Sequence, residues 1–367
     1  MTHHDTTTCV FCPDLCLYSC PTVRGSGNSS SSPFAKVSVL HWLNRFPDSS
    51  GTKAEDVAYL CTNCGLCTEV CLHDQPVGQW LFEKRQELFS ERKVPAQALR
   101  MCPDEDSLRQ TLVESAELIN SSKTPSIVFF PGCDMLKQGP EKVAQVVEVL
   151  DRVGIHDVGL DVDGPVCCGA PWRDVGDEAG FLSRIATWHR RFERFEGVVV
   201  AEPRCSRALK DASVESSRKR RYPQTFQLWK VLTRSLRSPS RKKIPHVVSL
   251  HKSCHIARHL EPHIMPECLS EGFVIERTQE NVFSGRQEQC CGHAGGFSEW
   301  AEENALRAGE VLMEEASSTG ADQILSLAPA CAHHLRRARA NRTDLPDIID
   351  IVEFTQKALD AGTGKQE

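Results

Sequence analysis

A chain of 367 residues that is 40% hydrophobic and 25% charged carries enough apolar side chain for two or three globular cores, which excludes a wholly disordered polymer. A formal charge of −6 excludes the dense cationic field that nucleic-acid phosphates require. The longest apolar runs, at 127–130 and 197–201, are strand-sized and far short of the roughly 18 residues of a bilayer span.

The opening residues, MTHHDTTTC, have neither a basic start nor an apolar stretch, so no secretory leader is expected and the chain is placed in the cytoplasm. The 18 cysteines then need a purpose. In a large chain in a reducing compartment that purpose is metal binding rather than disulfide bonding. Residues 1–124 hold two tight cysteine runs, an irregular Ser/Gly-rich loop at 24–33, and helices predicted near 34–46 and 77–92. Residues 125–236 alternate strand and helix, with strands at 126–130, 156–162 and 197–201 and helices at 140–152 and 177–194. After a basic linker around 235–245, residues 245–367 return to that pattern, with strands near 246–250, 272–276 and 323–328 and a helix near 297–316. The fold class is therefore α+β multidomain: a helical ferredoxin-like domain, then two α/β cysteine-rich modules. The basic runs at 218–221 and 336–342 read as solvated helix faces.

The run CTNCGLCTEVC sets Cys61, Cys64, Cys67 and Cys71 at x2, x2, x3 spacing. In bacterial ferredoxins such spacing gives three thiolates to one 4Fe-4S cubane and the fourth to its neighbour. Structural zinc asks for two separated pairs instead. The earlier run CVFCPDLCLYSCP places Cys9, Cys12, Cys16 and Cys20 at x2, x3, x3 spacing and completes eight thiolates. By analogy with two-cluster ferredoxins, Cys9, Cys12, Cys16 and Cys71 serve one cluster and Cys61, Cys64, Cys67 and Cys20 the other.

The modules repeat. Cys133, Cys167 and Cys205 map onto Cys254, Cys290 and Cys331 with offsets of 121, 123 and 126 residues, and each doublet, Cys167–Cys168 and Cys290–Cys291, precedes a glycine. Each module thus offers four thiolates: Cys133, Cys167, Cys168 and Cys205 in the first, Cys254, Cys290, Cys291 and Cys331 in the second. That is enough for one further iron-sulfur cluster each, or for zinc, because sulfur count does not name the metal. His255, His259 and His293 lie beside these cysteines as polar neighbours, and Cys102 and Cys268 fall outside every motif.

Two ferredoxin runs followed by FFPGCD, VCCGAPW, LHKSCHIARH, CCGHAGGF and LAPACAHH resemble the CCG cysteine-rich family. That family includes the iron-sulfur subunits of glycolate oxidase and anaerobic glycerol-3-phosphate dehydrogenase and the catalytic subunit of heterodisulfide reductase. The resemblance implies a module ordered Cys, CCG, CxxC, with five thiolates for a non-cubane cluster that works on disulfides. Here the last CxxC position is Ala208 in one module and His334 in the other, which counts against heterodisulfide reduction.

No G-x-G-x-x-G motif follows a strand, so no bound NAD or FAD is expected. The reading that results is an electron-transfer subunit that links a flavoprotein dehydrogenase partner, of 2-hydroxy-acid or glycerol-3-phosphate type, to a quinone or protein acceptor. A membrane quinone-reducing partner would hold it peripherally at the inner face of the membrane. The rivals are a thiol-disulfide reductase and a zinc-stabilised scaffold.

Overall fold

A computed structural model describes residues 6–46, 53–119, 125–215, 223–236, 244–260, 275–340 and 342–362. Cys268 and the basic run at 218–221 lie outside them. The first part is helical. Helix α1 (Pro33–Arg45) opens with proline at its first position, where the missing N–H costs nothing, and Ser32 Oγ accepts from Ala35 N at 3.0 Å. Helices α2 (Val77–Ser90) and α3 (Glu105–Ile119) follow. Leu108 and Leu112 of α3 are buried in the same cluster as Val143 and Val146 farther along the chain.

The rest is two copies of one design. The first has β1 (Ile127–Phe130), α4 (Pro140–Arg152), β2 (Val158–Gly159), α5 (Glu178–Phe192), β3 (Gly197–Val200), α6 (Pro203–Glu215), β4 (Gln224–Gln227) and α7 (Leu228–Ser235). The second has β5 (Ile244–His251), β6 (Ile275–Gln279), α8 (Glu302–Ser318), β7 (Gln323–Ser326), α9 (Pro329–Arg339), β8 (Asp347–Asp350) and α10 (Ile351–Gly362). Both sheets are wholly parallel, ordered β2-β1-β3-β4 and β6-β5-β7-β8. The identical strand order bears out the duplication and the fold class. Parallel strands need cover on both faces, which is why β3 and β7 are buried along their whole length.

Several boundaries differ from the periodicity. The strand expected at 156–162 shrinks to Val158–Gly159, because Asp161 leaves the sheet to take both ends of the Arg191 guanidinium at 2.6 Å. The helix expected at 297–316 breaks at Ala301, and the short turn Phe297–Trp300 stacks Trp300 on Tyr59 with ring centroids 5.2 Å apart. Strand β7 stops at Ser326, whose hydroxyl donates to Ala328 O at 2.9 Å and so turns the chain toward α9. Four arginines of the run at 336–342 are tied within the chain, Arg336 to Glu353, Arg337 to Glu302, Arg339 to Asp347 and Arg342 to Asp344.

The sheets share a core, with Phe129 and Val199 of the first in one cluster with Leu325 and Ile349 of the second. Lys142 of α4 spans the two halves, reaching Asp350 at 2.6 Å and Glu353 at 3.1 Å. The helical region is clamped onto both by Arg85, which is 1% exposed. Its guanidinium donates at 2.8 Å to each of four carbonyls: Ala58 and Cys61 of the helical region, Asp174 of the first module and Gly295 of the second.

Candidate metal centre

In an open parallel sheet, ligands gather beyond the carboxyl ends of the strands where the chain reverses its direction of winding. In these sheets that place lies between β1 and β3, and again between β5 and β7. Cys133 follows β1 by three residues and Cys205 sits in the first turn of α6 after β3; Cys254 follows β5 and Cys331 begins α9 after β7. Topology therefore brings each outer pair of cysteines together, and the doublet loop supplies the middle.

The thiols form a ladder in each module. In the first, Cys167 stands beside Cys133 and Cys168, and Cys168 beside Cys205. In the second, Cys290 stands beside Cys254 and Cys291, and Cys291 beside Cys331. All eight are buried and none is in a disulfide. The neighbouring thiols of Cys167 and Cys205 hold Cys168 well below the ordinary thiol range, and those of Cys290 and Cys331 do the same for Cys291. Thiols held below their ordinary range, Cys168 in the first ladder and Cys291 and Cys254 in the second, among further soft sulfur donors are the donor chemistry of a metal-thiolate centre.

The glycine after each doublet is required by space. A Cβ on Gly292, at φ +96°, would stand 2.6 Å from Ala305 O, and one on Gly169, at φ +91°, 3.2 Å from Phe181 O. Their N–H groups point back at the first doublet sulfur, Gly169 N to Cys167 Sγ at 3.4 Å and Gly292 N to Cys290 Sγ at 3.5 Å. The residue before the first cysteine is also left-handed in both copies, Gly132 at φ +70° and Ser253 at φ +71°. A serine there stores strain.

In the helical region Cys20, Cys61, Cys64 and Cys67 line one cavity with Pro21, Val77 and Leu81. Cys9 is pushed up to about 11, chiefly by burial and next by the nearby Cys71 and Cys12. Cys16 is pushed up to about 12, by burial and then by Asp14, to whose Oδ1 it donates at 3.4 Å. The structure brings Cys16 close to Cys20 and Cys67 as well. Around the cavity stand buried cations: Lys36 Nζ reaches Cys20 Sγ at 3.8 Å, and Arg258 Nε donates to Cys64 O at 2.5 Å. Such cations offset the negative charge of a thiolate-bound cluster in a low-dielectric site. Cavity, donors and charge all fit a cubane.

The two regions meet at sulfur. Cys64 packs in one cluster with Cys254 and Cys290, and the neighbouring Cys290 holds Cys64 well below its ordinary range. A buried polar group lies where the modules face each other. Burial, which works against ionisation at Asp134, is outweighed by His293 and Arg204, so its carboxyl stays well below the usual range. Glu202 accepts from Ala330 N at 3.0 Å, yet burial and then Asp134 push it up to about 8.

The flanking histidines divide. His255 and His259 are held neutral by burial and then by Arg207. His293 pairs with Asp134 at 3.8 Å, and His334 Nε2 bonds to Ala305 O at 3.0 Å. Ala208 and His334 each sit three residues behind the module's last cysteine, Cys205 or Cys331, on α6 and α9 respectively. Cys102 is half-buried, and burial pushes it up to about 11. Sequence reasoning missed His251, one ring nitrogen of which lies with Cys291 Sγ and Cys331 Sγ all within 4.8 Å of one another. Lining up the repeats finds it, since it stands three residues before Cys254 where the first copy has Phe130 before Cys133.

Residues 127–210 and 248–336 match the cysteine-rich domain family CCG, and residues 5–74 match the 4Fe-4S dicluster domain family. One polypeptide of the fumarate reductase (CoM/CoB) of Methanothermobacter marburgensis is 23% identical, over 94% of this chain and 70% of its own length. One polypeptide of the dihydromethanophenazine:CoB–CoM heterodisulfide reductase of Methanosarcina barkeri is 24% identical, over 97% of this chain and 94% of its own. Among solved structures, a hypothetical protein from Helicobacter pylori shares the fold with TM-score 0.57 at 10% identity, covering 92% of this chain and 68% of that one.

Proposed function

The chain is an iron-sulfur protein of the cysteine-rich CCG oxidoreductase family, with two 4Fe-4S clusters in its dicluster domain, and from that premise we propose that it is an electron-transfer subunit. It passes electrons between a flavoprotein dehydrogenase and a quinone or protein acceptor. The carrying observation is that Cys64 packs in one buried cluster with Cys254 and Cys290, which abuts the sulfur set of the dicluster region against that of the second module. Clusters supply one-electron carriers over a wide range of potential. The chain's own part is to hold them in sequence: Cys9, Cys12, Cys16 and Cys71 for one cubane, Cys20, Cys61, Cys64 and Cys67 for the next, then the two module ladders.

Around the inner set, Lys36, Arg85 and Arg258 set the local field by donating to its sulfurs or carbonyls. Burial keeps water from the ladders. No helix among the described residues is long and apolar enough to cross a membrane, so a quinone acceptor would be met through a partner. A second reading, thiol-disulfide reduction, draws on the heterodisulfide reductase polypeptide found among the relatives. The replacement of the fifth thiolate by Ala208 and His334 weighs against it.

The test is anaerobic reoxidation. Fully iron-loaded protein is reduced with a reduced flavin, then offered a soluble quinone or a disulfide. Reoxidation by the quinone alone is the expected result. Reoxidation by the disulfide, with a new paramagnetic signal, overturns the carrier reading in favour of the reductase.

A further inference from the structure

The two modules have the same strand order and the same thiol ladder, but they differ at one register position. In the first sheet Phe130 ends β1 opposite Val200; in the second His251 ends β5 opposite Ser326. Phe130 turns edge-on to Trp188 and Phe192, with ring centroids 5.8 Å away in each case, and packs with Cys168 and Cys205 in an apolar cluster. His251 is fully buried; its Nδ1 faces Glu288 Oε1 at 3.2 Å, and its Nε2 has no hydrogen-bond partner. Leaving such a group unsatisfied costs about 1–3 kcal/mol, which calls for a compensating bond.

Three features aim the ring at a metal. Its donor nitrogen and the sulfurs of Cys291 and Cys331 converge within 4.8 Å; donors held at about 2.0–2.3 Å on one ion are mutually about 3.5–4 Å apart, a small inward step. The Oε1 of buried Glu288 stands 3.2 Å from Nδ1, the carboxylate that commonly orients a metal-bound imidazole from behind. Glu288 is itself fixed, its Oε1 accepting from Lys252 N at 3.1 Å.

We propose that His251 is a metal ligand, so that the second module holds its centre with mixed sulfur and nitrogen donors while the first uses sulfur alone. The ligand class is a borderline divalent metal, either iron of a cluster or a zinc ion, both of which accept imidazole beside thiolate. Binding needs Cys291 and Cys331 as thiolates and His251 as neutral imidazole, so it releases protons. Where the imidazole takes a thiolate's place on a cluster iron, it raises the reduction potential, which would make the second module the more oxidising of the pair. The inference does not rest on the direction of electron flow.

The experiment uses the intact chain, purified anaerobically with 15N-labelled histidine. Pulsed EPR of the reduced protein reads histidine nitrogen on iron, and zinc-edge absorption reads it on zinc. A directly bound histidine nitrogen at either metal is expected, lost in His251→Ala together with about one metal equivalent. His251→Cys, which supplies a shorter thiolate donor and guards against a misfolded alanine variant, restores the metal without the nitrogen signal. Glu288→Gln weakens metal retention against a chelator by roughly 10–100-fold. Absence of histidine nitrogen from both metals in the wild-type chain, or its persistence in His251→Ala, overturns the proposal whatever the electron-transfer result.

Discussion

Replacing Arg85 with methionine tests how the helical region is held on the modules. The side chain is buried at 1% exposure and donates to four carbonyls, two in the helical region and one in each module. Hydrogen bonds from a charged donor are worth about 1.5–3 kcal/mol each, but such values are not additive, and water entering the site recovers part of the loss. Methionine also removes the desolvation cost of a buried cation, so a net loss of about 3–5 kcal/mol is expected. For 367 residues unfolding entropy near Tm is roughly 0.8 kcal/mol per kelvin, so Tm falls by about 4–6 °C if the chain unfolds as one unit. Arg85→Lys keeps the charge with three donors for four acceptors, and should fall between. Anaerobic calorimetry gives Tm, and hydrogen exchange at Ala58–Cys61 reports whether the regions part first. A shift under 1 °C with unchanged exchange would refute the clamp.

Gly292→Ala forces a Cβ to 2.6 Å from Ala305 O at φ +96°, and should cost about 1–3 kcal/mol in thermal unfolding and release metal from the second module first. Glu202 has a folded pKa of about 8 against an ordinary 4.5. The folded state therefore holds the extra proton between those values, and stability falls as pH rises through that window by up to about 1.4 kcal/mol per unit. Glu202→Gln should flatten the slope between pH 4.5 and 8, read by denaturant titration at several pH values. Lys142→Met leaves the carboxylate of Asp350, 0% exposed, without its 2.6 Å partner. A loss of about 3–5 kcal/mol is expected, with limited proteolysis loosening α10.

Where a function needs particular atoms close together in the chain, the sequence was readable. The eleven residues from Cys61 to Cys71 state their chemistry because four thiolates at that spacing have few other uses. The modules were legible because duplication wrote each constellation twice. What escaped notice depends on contacts remote in sequence. Arg85 meets Gly295 across 210 residues and Arg258 meets Cys64 across 194; Arg85 stands outside every motif, and Arg258, though within LHKSCHIARH, has nothing beside it that names its partner. The edge strands β4 and β8, QTFQ and DIID, lack the apolar run that marks β1 or β3, since each has only one neighbour in its sheet. His251 was hidden differently: beside Cys254 it reads as one more polar neighbour, and only the matching Phe130 gives it meaning.

That pairing bears on how a duplicated module takes on two roles. Both copies must bury thiolates, and a buried anion is tolerated only with compensating charge or hydrogen bonds. The copies solve this differently. Around the first ladder Arg204 does much of the work, pairing with Asp134 and Asp174 beside an apolar wall of Phe130, Trp188 and Phe192. At the second, the position equivalent to Arg204 is Ala330, and the compensation comes from His251 and from Arg258, which also donates to the dicluster backbone at Cys64. The second module thus shares its charge balance with the helical region through Arg258, while Arg204 finds its carboxylate partners, Asp134 and Asp174, within the first module. A substitution at Arg258 should therefore disturb the inner cubane set and the second ladder together, whereas one at Arg204 should leave the cubanes alone.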